Sequence, residues 1–331
     1  MGAVDPVALA QRLLSASSAP REAVLAALNG AIGDRLAEVG SPLAIEMALL
    51  QHDPWRPLGT DPYRPRPRAC VLVHGLMGTE RAWEIGTTDG ARTEFGHALA
   101  DARDATPIYV RYNSGRHISV NGRELAERLD AAFATWPALA DVSIVAHSMG
   151  GLVMRSALHY GTEAKHAWVH HVRRVFLLGV PAHGSPLEQL AHVAAFTLDA
   201  IWNPWTKIIG KAINMRSAGI KDLRHGYLLD EDWRNRDPDT LALRVPRKPI
   251  ATPHVRWFVA SGTLGEHDGM TAKLIGDGCV RPESCEGKGF GSPAPGVLPE
   301  ADIRVFGRTT HIGLMSDPRV LAQLLEWWRE S

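Results

Sequence analysis

A serine stands in Ala146-His147-Ser148-Met149-Gly150-Gly151, after the apolar run Val142–Val145 and before a helix-like segment holding Leu152, Val153 and Ala157. A serine on a sharp strand-to-helix turn projects its hydroxyl above the sheet, and its neighbours must be small because the turn is tight and its backbone strained. The helix that follows aims its positive end and free amide N–H groups at the same spot. This is the setting for nucleophilic attack on a carbonyl carbon. The usual pattern is Gly-x-Ser-x-Gly; Ala146 replaces the first glycine and is still small.

Acyl transfer needs three further parts. Two donors must meet the carbonyl oxygen as it becomes negative. One is the N–H of Met149, next after the serine. The other comes from the loop His74-Gly75-Leu76-Met77-Gly78, where the glycines let backbone approach closely and Leu76 is the best-placed amide. His74, before the glycine, reads as ordering that loop and not as a base. The base should be a histidine after the last strand, and in this arrangement the chain order is Ser, acid, His. Among 15 histidines, His311 alone fits, in the turn after Ile303–Phe306. The acid must lie between them. Asp277, between Gly276 and Gly278, can turn a carboxylate inward; Asp268, in Glu266-His267-Asp268-Gly269, is its rival. The acid fixes the imidazole tautomer and stabilises the imidazolium.

The elements that must hold these groups are short, continuous apolar runs, as in a parallel sheet covered on both faces. They are Cys70–Val73, Pro107–Tyr112, Val142–Ala146, Arg174–Leu178, Val255–Ser261 and Ile303–Phe306. Helix-like segments 94–102, 122–134 and 150–160 separate them, and 317–328 closes the chain. Alternation of this kind predicts an α/β fold with a doubly wound, mostly parallel sheet. Residues 1–50 predict an N-terminal helical extension. Asp5-Pro6 opens one helix, a second follows Pro20 with Val24, Leu28, Ile32 and Leu36 at steps of four, and a third apolar run spans Leu43–Leu50. Residues 51–69 are a proline-rich linker, since Pro54, Pro57, Pro62, Pro65 and Pro67 cannot sit inside a helix or central strand. Residues 70–331 form the main domain, with an insertion over 186–252 read as a helical cap. Its apolar stripe includes Leu190, Val193, Leu198, Ile201, Trp202 and Trp205, of which Leu198, Ile201 and Trp202 are expected to line a substrate pocket. A stripe packed permanently on the core is the plainer alternative.

The chain has 331 residues and a formal net charge of zero, with 36 basic and 36 acidic side chains. Without a positive excess it lacks the overall field that draws nucleic acid. No stretch of about 18 apolar residues predicts a membrane span, and the N-terminus does not read as a secretory signal, so a cytoplasmic location is expected. Three cysteines argue against a disulfide framework; Cys279 and Cys285 are close enough to pair, with reduced thiols the plainer reading.

The motifs quoted above resemble bacterial lipases and esterases of the α/β-hydrolase superfamily with an oxyanion loop of the His-Gly-x type. So do Gly179-Val180-Pro181-Ala182-His183-Gly184-Ser185-Pro186, Tyr112-Asn113-Ser114-Gly115-Arg116 and Asn121-Gly122. The resemblance covers about residues 68–329 and favours Asp277 as the acid. It implies an esterase acting through an acyl-enzyme on Ser148, on a small-molecule or lipid ester, with surface association with lipid possible. No cofactor is expected. Some related lipases hold a structural calcium, but no acidic cluster here calls for a metal. A thioesterase or acyltransferase would use the same groups, and a non-catalytic scaffold on this fold is the reading from a different class.

Overall fold

Successive side chains of a strand point to opposite faces of its sheet. The apolar runs of this chain use both faces, and two separate cores result. The computed structural model describes residues 18–51, 55–60, 65–84, 95–182, 184, 216–235, 252–265, 277, 280 and 300–329. Eight strands are present among them: β1 (Ala48–Gln51), β2 (Arg56–Pro57), β3 (Arg68–Val73), β4 (Ala105–Arg111), β5 (Asp141–His147), β6 (Val172–Leu178), β7 (Arg256–Thr263) and β8 (Ala301–Gly307). They form one sheet in the order β2-β1-β4-β3-β5-β6-β7-β8. From β4 through β8 neighbouring strands run parallel, while β1 is antiparallel to both β2 and β4. This is the α/β-hydrolase fold.

The helices are α1 (Ser18–Glu38), α2 (Phe95–Ala102), α3 (Ile118–Ala134), α4 (Met149–Glu163), α5 (Ala218–His225), α6 (Asp230–Trp233) and α7 (Pro318–Arg329). Val71, Val73, Ile144, Val175 and Leu177 pack on one face with Leu125 and Leu129 of α3 and Leu152 and Val153 of α4. The residues between them, Cys70, Leu72, Val145 and Phe176, pack on the other with Phe95 and Leu99 of α2 and the α7 side chains Val320, Leu324, Trp327 and Trp328. The α7 residues recur at helical spacing, which gives a single apolar stripe and leaves the far side for water. No helix among the described residues is long and apolar enough to cross a membrane.

Of the parallel strands the chain lays down β3 first, steps to β4 on one side, then crosses to β5 on the other. The loops that leave the carboxyl ends of β3 and β5 therefore diverge from neighbouring strands, and such a switch point opens a crevice where ligands bind in sheets of this kind.

Two parts of the N-terminal region differ from expectation. The apolar run ending at Leu50 does not continue the helical layer: Ala48–Gln51 is a strand, with Ala48, Leu49 and Leu50 paired to Arg111, Val110 and Tyr109. The outer backbone of β4 needs partners, and pairing with it outweighs the local helical tendency of a short run. Pro57 lies in the edge strand β2, where a missing N–H costs the sheet nothing. The helix proposed at Asp5-Pro6, the stripe Leu190–Trp205 with Leu198, Ile201 and Trp202, the rival Asp268, and both Cys279 and Cys285 lie outside the described residues. Within the 186–252 insertion, residues 216–235 are described and carry α5 and α6.

Candidate active site

β5 ends at His147 and α4 begins at Met149, so Ser148 alone makes the reversal. Its backbone takes φ 53° and ψ −128°, which a side chain disfavours at a cost of order 1–3 kcal/mol. The surroundings hold it there. Ser148 N–H donates to Leu178 O at the end of β6 (2.9 Å), and Gly151 N–H donates to Ser148 O (3.0 Å). A Cβ on Gly150 would stand 2.4 Å from the carbonyl oxygens of Val73 and His74, so only glycine lets α4 start this close to β3. Gly75 fits against the serine in the same way, with a Cβ there 2.9 Å from Ser148 Cβ.

Asp277 and His311 meet beside this turn. His311 Nδ1–H donates to Asp277 Oδ2 at 2.8 Å, and both side chains are buried. The second carboxylate oxygen accepts from Val280 N–H (2.7 Å), and His311 N–H donates to Asp277 O (3.0 Å). The proton on Nδ1 leaves the lone pair on Nε2. That atom is buried and has no hydrogen-bond partner among the described residues, so it makes no bond to the serine hydroxyl in this structure. Such bonds are often long until substrate is bound.

His147 turns away from the serine. Its Nε2–H donates to the carbonyl of His311 (3.0 Å), and the two rings lie 4.6 Å apart. Burial, and then the neighbouring His311, push its pKa well below the usual histidine range. The ring therefore stays neutral and does not oppose a positive charge on His311. His74 is fully enclosed. Its Nδ1–H donates to Gly75 O (2.9 Å), its ring stacks on Tyr112, and burial lowers its pKa to about 4. It shapes the loop, as its position before Gly75 suggested.

That loop is a four-residue turn. Gly78 N–H donates to Gly75 O (3.2 Å), and Met77 has φ 57° while Leu76 stays at negative φ. This is the pattern of a type II turn, whose third position is ordinarily Gly or Asn. The Met77 N–H donates to Ser114 Oγ (3.0 Å). The Leu76 N–H and the Met149 N–H have no acceptor among the described residues. Met149 is the first residue of α4, where amides have no partner within the helix. Just after the turn, buried Glu80 accepts from Arg111 Nε (2.7 Å), tying the loop back to β4.

The sequence-predicted residues Ser148, Asp277, His311, Leu76 and Met149 thus all lie at the carboxyl ends of parallel strands. The hydrogen-bond partners of His147, Met77 and Ser114 in this network could not be read from the sequence, because they are set by packing between distant segments.

Residues 48–220 match the family described as a domain of unknown function, DUF7379. Among proteins of curated function, none matches the chain by sequence. The chain is similar in structure to the lipase BlEst2 of Bacillus licheniformis in mature form, with 20% identity, coverage of 85% of this chain and 98% of that one, and a TM-score of 0.45. It is similar to the RedJ thioesterase of the prodiginine pathway in Streptomyces coelicolor, with 16% identity, coverage of 82% and 96%, and a TM-score of 0.48. It is also similar to carboxylesterase CesB of Bacillus subtilis, with 11% identity, coverage of 94% and 99%, and a TM-score of 0.43. With a little over half of its length matched by the family, the chain belongs to the DUF7379 family.

Proposed function

We propose that this protein is a serine hydrolase that cleaves carboxylic esters through an acyl-enzyme on Ser148. The observation that carries the reading is the buried Asp277–His311 pair, with His311 Nε2 without a partner among the described residues, beside the strained strand-to-helix turn that carries Ser148. Ser148 Oγ attacks the acyl carbon while His311 Nε2 takes its proton. Asp277 holds the imidazole in the required tautomer and stabilises the imidazolium. The oxyanion lies between the amides of Leu76 and Met149, which are donors fixed before the reaction starts. His311 then protonates the departing alcohol, and water, activated by the same imidazole, releases the acid. The acyl chain is assigned to the apolar stripe with Leu198, Ile201 and Trp202 on the ground of its helical spacing and its place after Gly179–Pro186.

The test is labelling by a fluorophosphonate, together with turnover of p-nitrophenyl esters from acetate to palmitate and of matching acyl-CoA substrates. Wild type should label and turn over, and Ser148→Ala should lose both, with turnover reduced by about 10³-fold or more. A folded wild type that neither labels nor hydrolyses would be a scaffold. Faster cleavage of acyl-CoA than of the ester with the same chain would move the reading to a thioesterase.

A further inference from the structure

Helix α1 lies outside the residues matched by the family, yet it touches the turn that carries Leu76. It is kinked at Ile32, where φ is −144° and ψ 21°. Kinks arise where another group takes over the helix's own hydrogen bonds. Here the carbonyls around the kink are engaged from outside. Gly30 O accepts from Ser217 Oγ (2.6 Å), Ala31 O from Ser217 N–H (3.1 Å), and Gly33 O from Asn113 Nδ2 (2.8 Å). Contact at the kink is close, with no room for a Cβ at either glycine. A Cβ on Gly30 would stand 2.3 Å from Met77 Cγ and 3.2 Å from Met77 Cα and N. A Cβ on Gly115 would stand 2.1 Å from Asn29 O.

We infer that α1 is a positioning element of the catalytic machinery: its kink at Gly30–Gly33 clamps Met77 in the left-handed conformation that holds the Leu76 amide toward the oxyanion. Methionine at positive φ is disfavoured, and two contacts oppose its relaxation. Ser114 Oγ accepts the Met77 N–H from one side, and Gly30 receives the Met77 side chain on the other. Ser114 belongs to the segment Asn113–Gly115 that α1 itself grips, so the clamp is closed through α1. If Met77 relaxes, the Leu76–Met77 peptide turns and shifts Leu76 with its N–H, and a displacement of about 1 Å in such a group can cost about 100-fold in rate.

The inference rests on the proposed role of Ser148, and the experiment separates the two. Gly30→Ala, Ser114→Ala, Met77→Gly and the double variant Gly30→Ala/Met77→Gly are compared with wild type and Ser148→Ala on p-nitrophenyl acetate. Hydrogen exchange of the segment 74–79 is followed in parallel. Gly30→Ala should lower kcat by about tenfold to 100-fold with KM within about twofold, leave the pH profile of kcat/KM in place, and speed exchange of 74–79. Met77→Gly removes the clashing Cγ, accepts positive φ and leaves only the looser 3.2 Å backbone contacts, so the double variant should recover most of the kcat of Met77→Gly alone. Ser114→Ala should lower kcat in the same manner, and it decides the matter should Gly30→Ala fail to fold. Unchanged kcat in folded Gly30→Ala or Ser114→Ala, or a loss that Met77→Gly does not relieve, overturns the inference while leaving Ser148 as nucleophile. A wild type that neither labels nor hydrolyses removes the serine reading and the inference with it.

Discussion

At the scale of single residues, two side chains carry the sharpest consequences. Ser148 sits at φ 53° and ψ −128° because the turn requires it, and the strain is borne whether the side chain is serine or alanine. Glycine alone relieves it. Ser148→Gly and Ser148→Ala should both be inactive, but the glycine variant should melt higher, by the part of about 1–3 kcal/mol that exceeds glycine's extra chain entropy. Equal melting temperatures in the two variants would mean that the turn stores no strain. Asp277 is tested by its charge. Asp277→Asn keeps the size of the side chain but no longer favours the Nδ1–H tautomer of His311, and a loss of about 10⁴-fold in kcat is expected from the behaviour of related triads. Asp268→Asn should leave most of the activity. The reverse order in steady-state assays would assign the acid to Asp268.

At the scale of elements, α3 shows how a helix end is finished by a distant part of the chain. Its N-cap residue is His117, whose side chain makes no capping bond. The capping carboxylate is Asp222 of α5, which accepts from Ile118 N–H (2.8 Å) and faces His117 Nδ1 (3.0 Å). Burial pushes the Asp222 pKa up, and the His117 hydrogen bond works against that shift. Further contacts dock the same segment: Ser156 Oγ–H donates to Leu228 O (2.7 Å), Arg123 to Asp230 (2.7 Å), and Trp233 Nε1–H to Ser119 Oγ (2.9 Å). Asp222→Ala removes a cap and leaves buried donors unsatisfied, so it should cost roughly 1–3 kcal/mol in urea unfolding. Asp222→Asn keeps an acceptor for Ile118 N–H and should cost less. If the two variants unfold at the same midpoint, the capping bond is not what Asp222 contributes.

At the scale of the whole molecule, buried neutral histidines tie stability to pH. His74 has its pKa lowered from 6.5 to about 4 by burial, and His147 is lowered well below the same starting value. Between pH 6.5 and about 4 the unfolded chain binds protons at these sites that the native protein does not. Stability from this source is complete above about pH 6.5 and is lost as pH falls toward 4. For His74 alone the loss is on the order of 3 kcal/mol, which is large beside a typical total of about 5–15 kcal/mol. The urea midpoint should therefore drop already between pH 6.5 and 5, above most carboxylate titration, and His74→Asn should flatten that drop. A midpoint that stays level across this window would show that these histidines take up protons without unfolding.

What could be read from the sequence alone lies close along the chain. Apolar runs bounded by turns marked six strands, and the small residues around Ser148 marked a strand-to-helix reversal, because periodicity and turn chemistry depend on adjacent residues. The order Ser148, acid, His311 was expected from the arrangement that the serine motif implies, and Asp277 was preferred to Asp268 through its flanking glycines and the family resemblance. The tertiary structure decided everything that depends on register and packing between remote segments. It made Ala48–Gln51 a strand, since the open edge of β4 needed partners. It set Asp277 Oδ2 at 2.8 Å from His311 Nδ1, turned His147 to the His311 carbonyl, capped α3 with Asp222, and laid the kink of α1 against Met77. In each case the partners are separated by tens to well over a hundred residues, and no local preference encodes a distance between atoms that only the packed sheet and its helices bring together.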